Sequence, residues 1–278
     1  PTYGAVSRYG LMPLASSMDQ VSTFGATVGD AAELFRVIAG VDGQDKTSRA
    51  VDLPMPEFGG RDINGLKIGV PKQFFDDEMD ADISSSIKSA LKKYEEAGAI
   101  VSSLDIPLLE DALAMYYVVM PAELSSNLQK FDGVRFGTKI EGDGYIDGLM
   151  KTRGALFGAE IRRRILIGSF VLSAGYVDAY YLKAVAAREA LRESLREAFK
   201  EVDVIMGPTS PTTAWPFGEK FNDPLTMYLA DIYTCPANLA GIPAISIPCG
   251  TVKGLPVGLQ IMGPEGQDAL VFDVAYWY

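Results

Sequence analysis

No histidine occurs anywhere in this 278-residue sequence. That absence removes Ser-His-Asp and Cys-His nucleophilic catalysis, H-E-x-x-H metalloprotease chemistry and every histidine-ligated metal. Cysteine is scarce as well. Cys235 and Cys249 form neither a C-x-x-C pair nor a zinc set, and as small buried thiols they fit a reducing cytoplasm. Basic residues are outnumbered, 25 Lys and Arg against 36 Asp and Glu, and the net charge of −11 argues against a large phosphate-binding surface on this chain. If nucleic acid is involved, a partner chain holds it. No apolar run approaches the roughly 20 residues of a membrane span, and nothing at the start reads as a signal peptide. There is also no G-x-S-x-G elbow, no G-x-x-x-x-G-K-[ST] loop and no G-x-G-x-x-G turn. A hydrolytic nucleophile acting here needs another base, such as lysine.

What is present suffices for a full core: 48% of the residues are hydrophobic. Thr27 and Asp30 have the spacing of a capping box ahead of Ala31, Leu34, Phe35 and Ile38, with Gly40 as the stop. Residues 56–64 read as loop, and residues 66–70 as a short buried strand ended by Pro71. An amphipathic helix follows with Ile83, Ile87, Leu91 and Tyr94 on one face and Gly98 as its stop; residues 99–106 are a second strand. Strand, helix and strand in that order predict a parallel βαβ unit. Long helices are expected over residues 108–130, 155–172 and 176–202, then a strand in "VDVIMGP", a helix around Asp231, strands in "AISIP" and "VGLQIMG", and a last helix from Asp268. The sum is an α/β protein with a mixed β-sheet covered by helices. The sequence opens at Pro1 without an initiator Met and ends at Tyr278 inside a helical pattern, so a piece of a longer polypeptide is expected.

Three residues break the pattern. In "FGAEIRRRILIGSF", Phe157, Ile161, Ile165 and Gly168 share one helical stripe; Arg164 falls beside it, while Arg162 and Arg163 point away. An arginine so placed either snorkels and pairs with a nearby acid or meets a ligand. Asp231 is the one charge in "YLADIYTCPANLAGIPAISIPCG", and no other acid or base stands between Asp223 and Lys253. Pro236 should break or restart the helix there, so Asp231 is a cap, half of an ion pair, or a ligand group. Tyr116, in an apolar helix, reads most simply as core with its hydroxyl tied off. An inward arginine and a lone acid could hold the two ends of an amino-acid zwitterion, the guanidinium forking onto the carboxylate and the acid accepting from the ammonium. They could equally hold each other.

The stretches "PTYGAVSRYGLMPLASSMDQV", "SSNLQKFDGVRFG", "EIRRRILIGSFVLSAGYVDAYY", "GPTSPTTA" and "YLADIYTCPANLAGIPAISIPCG" to "GLPVGLQIMG" together resemble the amidase-signature enzymes. Within them they resemble the glutaminase (A) subunits of the glutamyl-tRNA(Gln) amidotransferases. The likeness runs in order along the whole chain. It implies the amidase-signature fold, with residues 1–278 as the C-terminal portion of a single domain. It also implies a glutaminase that releases ammonia for a partner B subunit, which uses ATP and Mg²⁺ to amidate Glu-tRNA(Gln), while a small C subunit ties the two together. No cofactor is expected on this chain, and the acidic charge agrees with tRNA and ATP being handled by the partner.

The resemblance implies a Lys–Ser–Ser triad, in which a lysine acting through one serine activates a second that attacks the side-chain amide. The family's nucleophile lies just upstream of the P-T-Y-G turn where this chain starts. No residue here matches a triad member, so the chain alone is expected to be inactive. The substrate contacts do carry over: Arg164 to the arginine that binds the glutamine α-carboxylate, Asp231 to the acid that accepts from the α-amino group, and Tyr116 to the tyrosine against bound glutamine. Ser22 departs from the pattern, since glycine is usual there, and a serine is tolerated only where the backbone needs no positive φ. Two other readings compete: a general amidase of the same fold acting on aryl or fatty amides, with an apolar lining where Arg164 and Asp231 sit, and a non-catalytic assembly module.

Overall fold

The computed structural model describes residues 1–53, 62–75, 79–219 and 224–278; most of the loop expected at residues 56–64 falls outside them. The described chain divides into two compact units, one of Pro1–Gly10, Gln20–Leu113 and Arg188–Tyr278, the other of Leu11–Asp19 and Ala114–Ala187.

The first unit begins with α1 (Val28–Ile38), whose N-terminus is closed by the expected capping box: Thr27 accepts from the Asp30 amide while Asp30 accepts from the Thr27 amide. Ala31, Ala32 and Phe35 are buried, whereas Leu34 and Ile38 of the anticipated apolar stripe are exposed, and Ala39 rather than Gly40 caps the end. The βαβ unit is present. β1 (Lys67–Pro71) pairs in parallel with β2 (Ile100–Leu104), and α2 (Ala81–Glu96) lies between them in sequence. Ile83, Ile87, Leu91 and Tyr94 are all buried, as their spacing predicts, in one cluster with Ile68, Val204, Met206, Leu259 and Ile261. Each such side chain contributes about 1.5–3 kcal/mol relative to exposure. That cluster is one core of this unit; Ala5, Val6 and Phe35 form another.

The sheet continues with β3 (Val204–Pro208), β5 (Leu255–Met262) and β4 (Ala244–Val252), in the order β2-β1-β3-β5-β4. β3 runs parallel to β1; β5 runs antiparallel to both β3 and β4. The sheet is therefore mixed. β4 and β5 are joined by Lys253 and Gly254, at φ +53° and +80°, the two left-handed residues that a tight hairpin turn requires. Lys253 is the one positive-φ residue other than glycine among the described residues, so Ser22 needs no glycine. Along β3, Val204 and Met206 join the α2 cluster. Gly207 supports the ring of Phe74 instead, and a Cβ at Gly207 would collide with it. α9 (Asp268–Trp277) packs Trp277 against Tyr94, the rings tilted by 41° with centroids 4.7 Å apart.

The second unit is helical. The chain enters it within α3 (Ala112–Asn127) and leaves it within α6 (Leu182–Glu201). Between them lie α4 (Gly144–Leu156), α5 (Ala159–Val171) and a π turn (Val177–Tyr181). The helix expected over residues 155–172 is α5; its start belongs to α4, which the periodicity did not predict. α3 also starts later than expected, after a 3₁₀ turn at Pro107–Leu109. α5 approaches α3 closely at Gly168, where a Cβ would collide with the carbonyl of Pro121.

Candidate functional site

α5 separates the three arginines as the helical wheel predicts. The Arg164 side chain is 21% exposed and that of Arg163 is 46%. Arg164 Nε donates to Glu160 Oε1 at 2.8 Å, one turn back along the helix. Its Nη1 lies 3.7 Å from the thioether of Met120 on α3, a weak acceptor. Burial works against the Arg164 charge, but the Glu160 bond and the neighbouring Tyr116 and Tyr117 outweigh it, and the guanidinium is held above its ordinary pKa. Arg164 is thus a permanent cation with one edge on a carboxylate and a terminal nitrogen on sulfur. Tyr116, on α3, is half-buried and stands edge-on to Tyr117, with ring centroids 5.1 Å apart. The structure therefore brings Arg164 and Tyr116 together within the second unit.

Asp231 belongs to the first unit. The helix expected around it is replaced by a turn between α7 (Pro224–Leu229) and α8 (Cys235–Ala240), and Asp231 is exposed rather than sunk in apolar surroundings. Pro236 explains the break. It sits in the first turn of α8, where its missing N–H is harmless, and so restarts the helix. The Asp231 carbonyl accepts from the Cys235 amide at 3.1 Å and the Thr234 amide at 3.0 Å, which opens α8. Burial, then the Asp231 carboxylate, push the Cys235 thiol up to about 12. Both cysteines are free thiols, Cys235 buried and Cys249 half-buried.

Sequence reasoning missed Glu160, although an acid four residues before an arginine on a helix was a readable signal. It also missed Gln260, a polar residue in the apolar β5, whose Nε2 donates to the Tyr233 carbonyl at 2.8 Å in a buried bond. The first unit also has an open groove of about 440 Å³ lined by Thr209, Ser246, Trp215 and Ala230; its polar side-chain groups are hydroxyls and the indole N–H of Trp215, which offer no charge to a zwitterion. Among the described residues no cluster of three or more His, Cys, Asp or Glu is placed to hold a metal ion, and no helix is long and apolar enough to cross a membrane.

The sequence, which has no histidine, matches a known family along nearly its full length. The chain belongs to the amidase family, whose model matches residues 1–272. Among its relatives, the A subunit of the glutamyl-tRNA(Gln) amidotransferase of Methylococcus capsulatus is 49% identical over 282 residues, and that of Thermodesulfovibrio yellowstonii is 46% identical over 280. Each alignment covers 100% of this chain and 58% of the relative. The crystal structure of the same subunit from Thermotoga maritima superposes with a TM-score of 0.78 at 42% identity, covering 99% of this chain and 55% of that one. The chain thus spans under three-fifths of the length of the curated relatives it matches.

Proposed function

We propose that this chain is the C-terminal part of the glutaminase subunit of a glutamyl-tRNA(Gln) amidotransferase, working in the cytoplasm. The observation that carries the reading is identity of 46% and 49%, sustained along the entire chain, with proteins of that name. In the whole protein a Lys–Ser–Ser triad, to which no residue of this chain is matched, attacks the side-chain amide of glutamine. Ammonia leaves, an acyl-enzyme forms, and water releases glutamate. The B subunit, with ATP and Mg²⁺, uses that ammonia to amidate Glu-tRNA(Gln), and the C subunit holds the assembly together.

The residues of this chain select the amino acid. Arg164, kept charged and oriented through Nε by Glu160, receives the α-carboxylate on its terminal nitrogens. Tyr116 lies against the bound substrate beside it, and Asp231 accepts from the α-ammonium group. These groups bind glutamine as a free amino acid and take no part in breaking the amide bond.

In the full-length protein, in complex with its partners, Asp231→Asn is expected to raise the KM for glutamine roughly 10- to 100-fold with little change in kcat, because a charge-assisted hydrogen bond is lost. Arg164→Lys, which keeps charge but loses the planar fork, is expected to act in the same direction. Steady-state ammonia release measures both. A KM unchanged in both variants overturns the glutamine reading in favour of an amidase that does not recognise an amino-acid head group.

A further inference from the structure

A carboxylate on an exposed turn recognises a cation well only if its backbone is held still. Two contacts that hold the turn of Asp231 reach into the sheet. The first is Gln260, in the middle of β5 between Leu259 and Ile261, both 0% exposed, and itself 3% exposed. Its side-chain nitrogen donates to the Tyr233 carbonyl at 2.8 Å. A carbonyl accepts only from the NH₂ end of the amide, so this partner fixes the orientation of the Gln260 side chain. The second is the Tyr233 ring, 1% exposed, which stands edge-on to Phe74 with centroids 5.4 Å apart. Phe74 in turn occupies the space that Gly207 leaves, and Gly207 is the register partner of Gln260 across β3 and β5. Tyr233 lies two residues after Asp231, inside the turn that the Asp231 carbonyl closes onto Thr234 and Cys235.

A buried glutamine in an apolar strand is unfavourable unless its amide is satisfied, and leucine would fill much the same volume. The stability of the strand does not explain the choice. We propose that Gln260 is a positioning residue for substrate recognition: through the Tyr233 carbonyl it fixes the turn that presents Asp231 to the α-ammonium group of glutamine. This rests on the role of Asp231 given above. Gln260 itself touches no substrate.

The test uses two amides, glutamine and glutaramate, which is glutamine without its α-amino group, in the full-length protein in complex with its partners. Gln260→Leu removes the donor at nearly constant volume. Gln260→Glu keeps the shape but, when ionised, cannot donate, and serves if the leucine variant fails to fold. Both are expected to raise the KM for glutamine about tenfold, to leave kcat within twofold, and to leave kcat/KM for glutaramate at the parent value. For Gln260→Glu, lowering the pH restores a donating O–H and brings the KM for glutamine back toward that of the parent. Asp231→Asn, run alongside, separates the two ideas. If it raises the KM for glutamine while neither Gln260 variant does, the positioning role is wrong and the Asp231 reading stands. If Asp231→Asn is silent, both fall together. An equal loss on glutamine and glutaramate makes Gln260 a general structural residue and overturns the proposal.

Discussion

Cys235 follows Asp231 by four residues, and burial together with that carboxylate lifts its thiol to about 12. Thiolate is the reactive form, so at pH 8 almost none is present. Burial also raises the Cys249 thiol above its ordinary value. In native protein at pH 8 both thiols are expected to react with a disulfide reagent at least about tenfold more slowly than after unfolding in denaturant, and a count of fast-reacting thiols measures this. Fast reaction of one equivalent without denaturant would place a cysteine at the surface, contrary to the fold. At this scale the sequence was readable where geometry is local. The outward Arg162 and Arg163 and the half-buried Arg164 follow from helical spacing alone. The exposure of Asp231 was not readable, because its apolar neighbours in sequence are carried away from it by the turn before α8.

The β4–β5 hairpin turns on a lysine at φ +53° followed by a glycine at φ +80°. A side chain with a Cβ is disfavoured in the left-handed region by roughly 1–2 kcal/mol, and asparagine tolerates it best because its short amide bonds locally. Lys253→Asn is therefore expected to stabilise the protein by about 0.5–1 kcal/mol, read as a higher urea midpoint at unchanged slope; a fall in the midpoint would mean that the lysine side chain itself stabilises the hairpin. Among the elements, α2 was legible in full, since Ile83, Ile87, Leu91 and Tyr94 recur at helical spacing and all end buried. α4 was not, because Gly144, Gly148 and Gly154 interrupt any apolar stripe. What anchors it is long-range relative to a helical turn: Thr152 accepts from the Ile140 amide and Arg153 donates to the Leu128 carbonyl. Such bonds leave no periodic trace.

At the scale of the molecule, the strand order β2-β1-β3-β5-β4 places β3 and β5 in the interior of the sheet. All five residues of β3 are buried, whereas three of five in β2 are exposed. Amide protons of β3 and β5 that bond across the sheet are expected to exchange slowest of all, at the rate of global unfolding, with those of β2 exchanging well before them. Hydrogen exchange resolved by peptide measures the order, and faster exchange in β3 than in β2 would contradict this sheet. The parallel pairing of β1 with β2 was foreseeable from the strand–helix–strand order. The pairing of β3 with β5 was not, for it joins strands roughly 50 residues apart and no local pattern encodes such partners.

Arg164 rests a terminal nitrogen on the sulfur of Met120 at 3.7 Å. Sulfur is among the feeblest acceptors a guanidinium can meet, so exchanging it for an incoming oxyanion sacrifices little. Glu160, gripping the opposite edge, keeps the plane from swinging during that exchange. With the carboxylate-binding role proposed for Arg164, the arrangement would behave as a cocked receptor: charged beforehand, aimed beforehand, and guarded by a neighbour that yields at once.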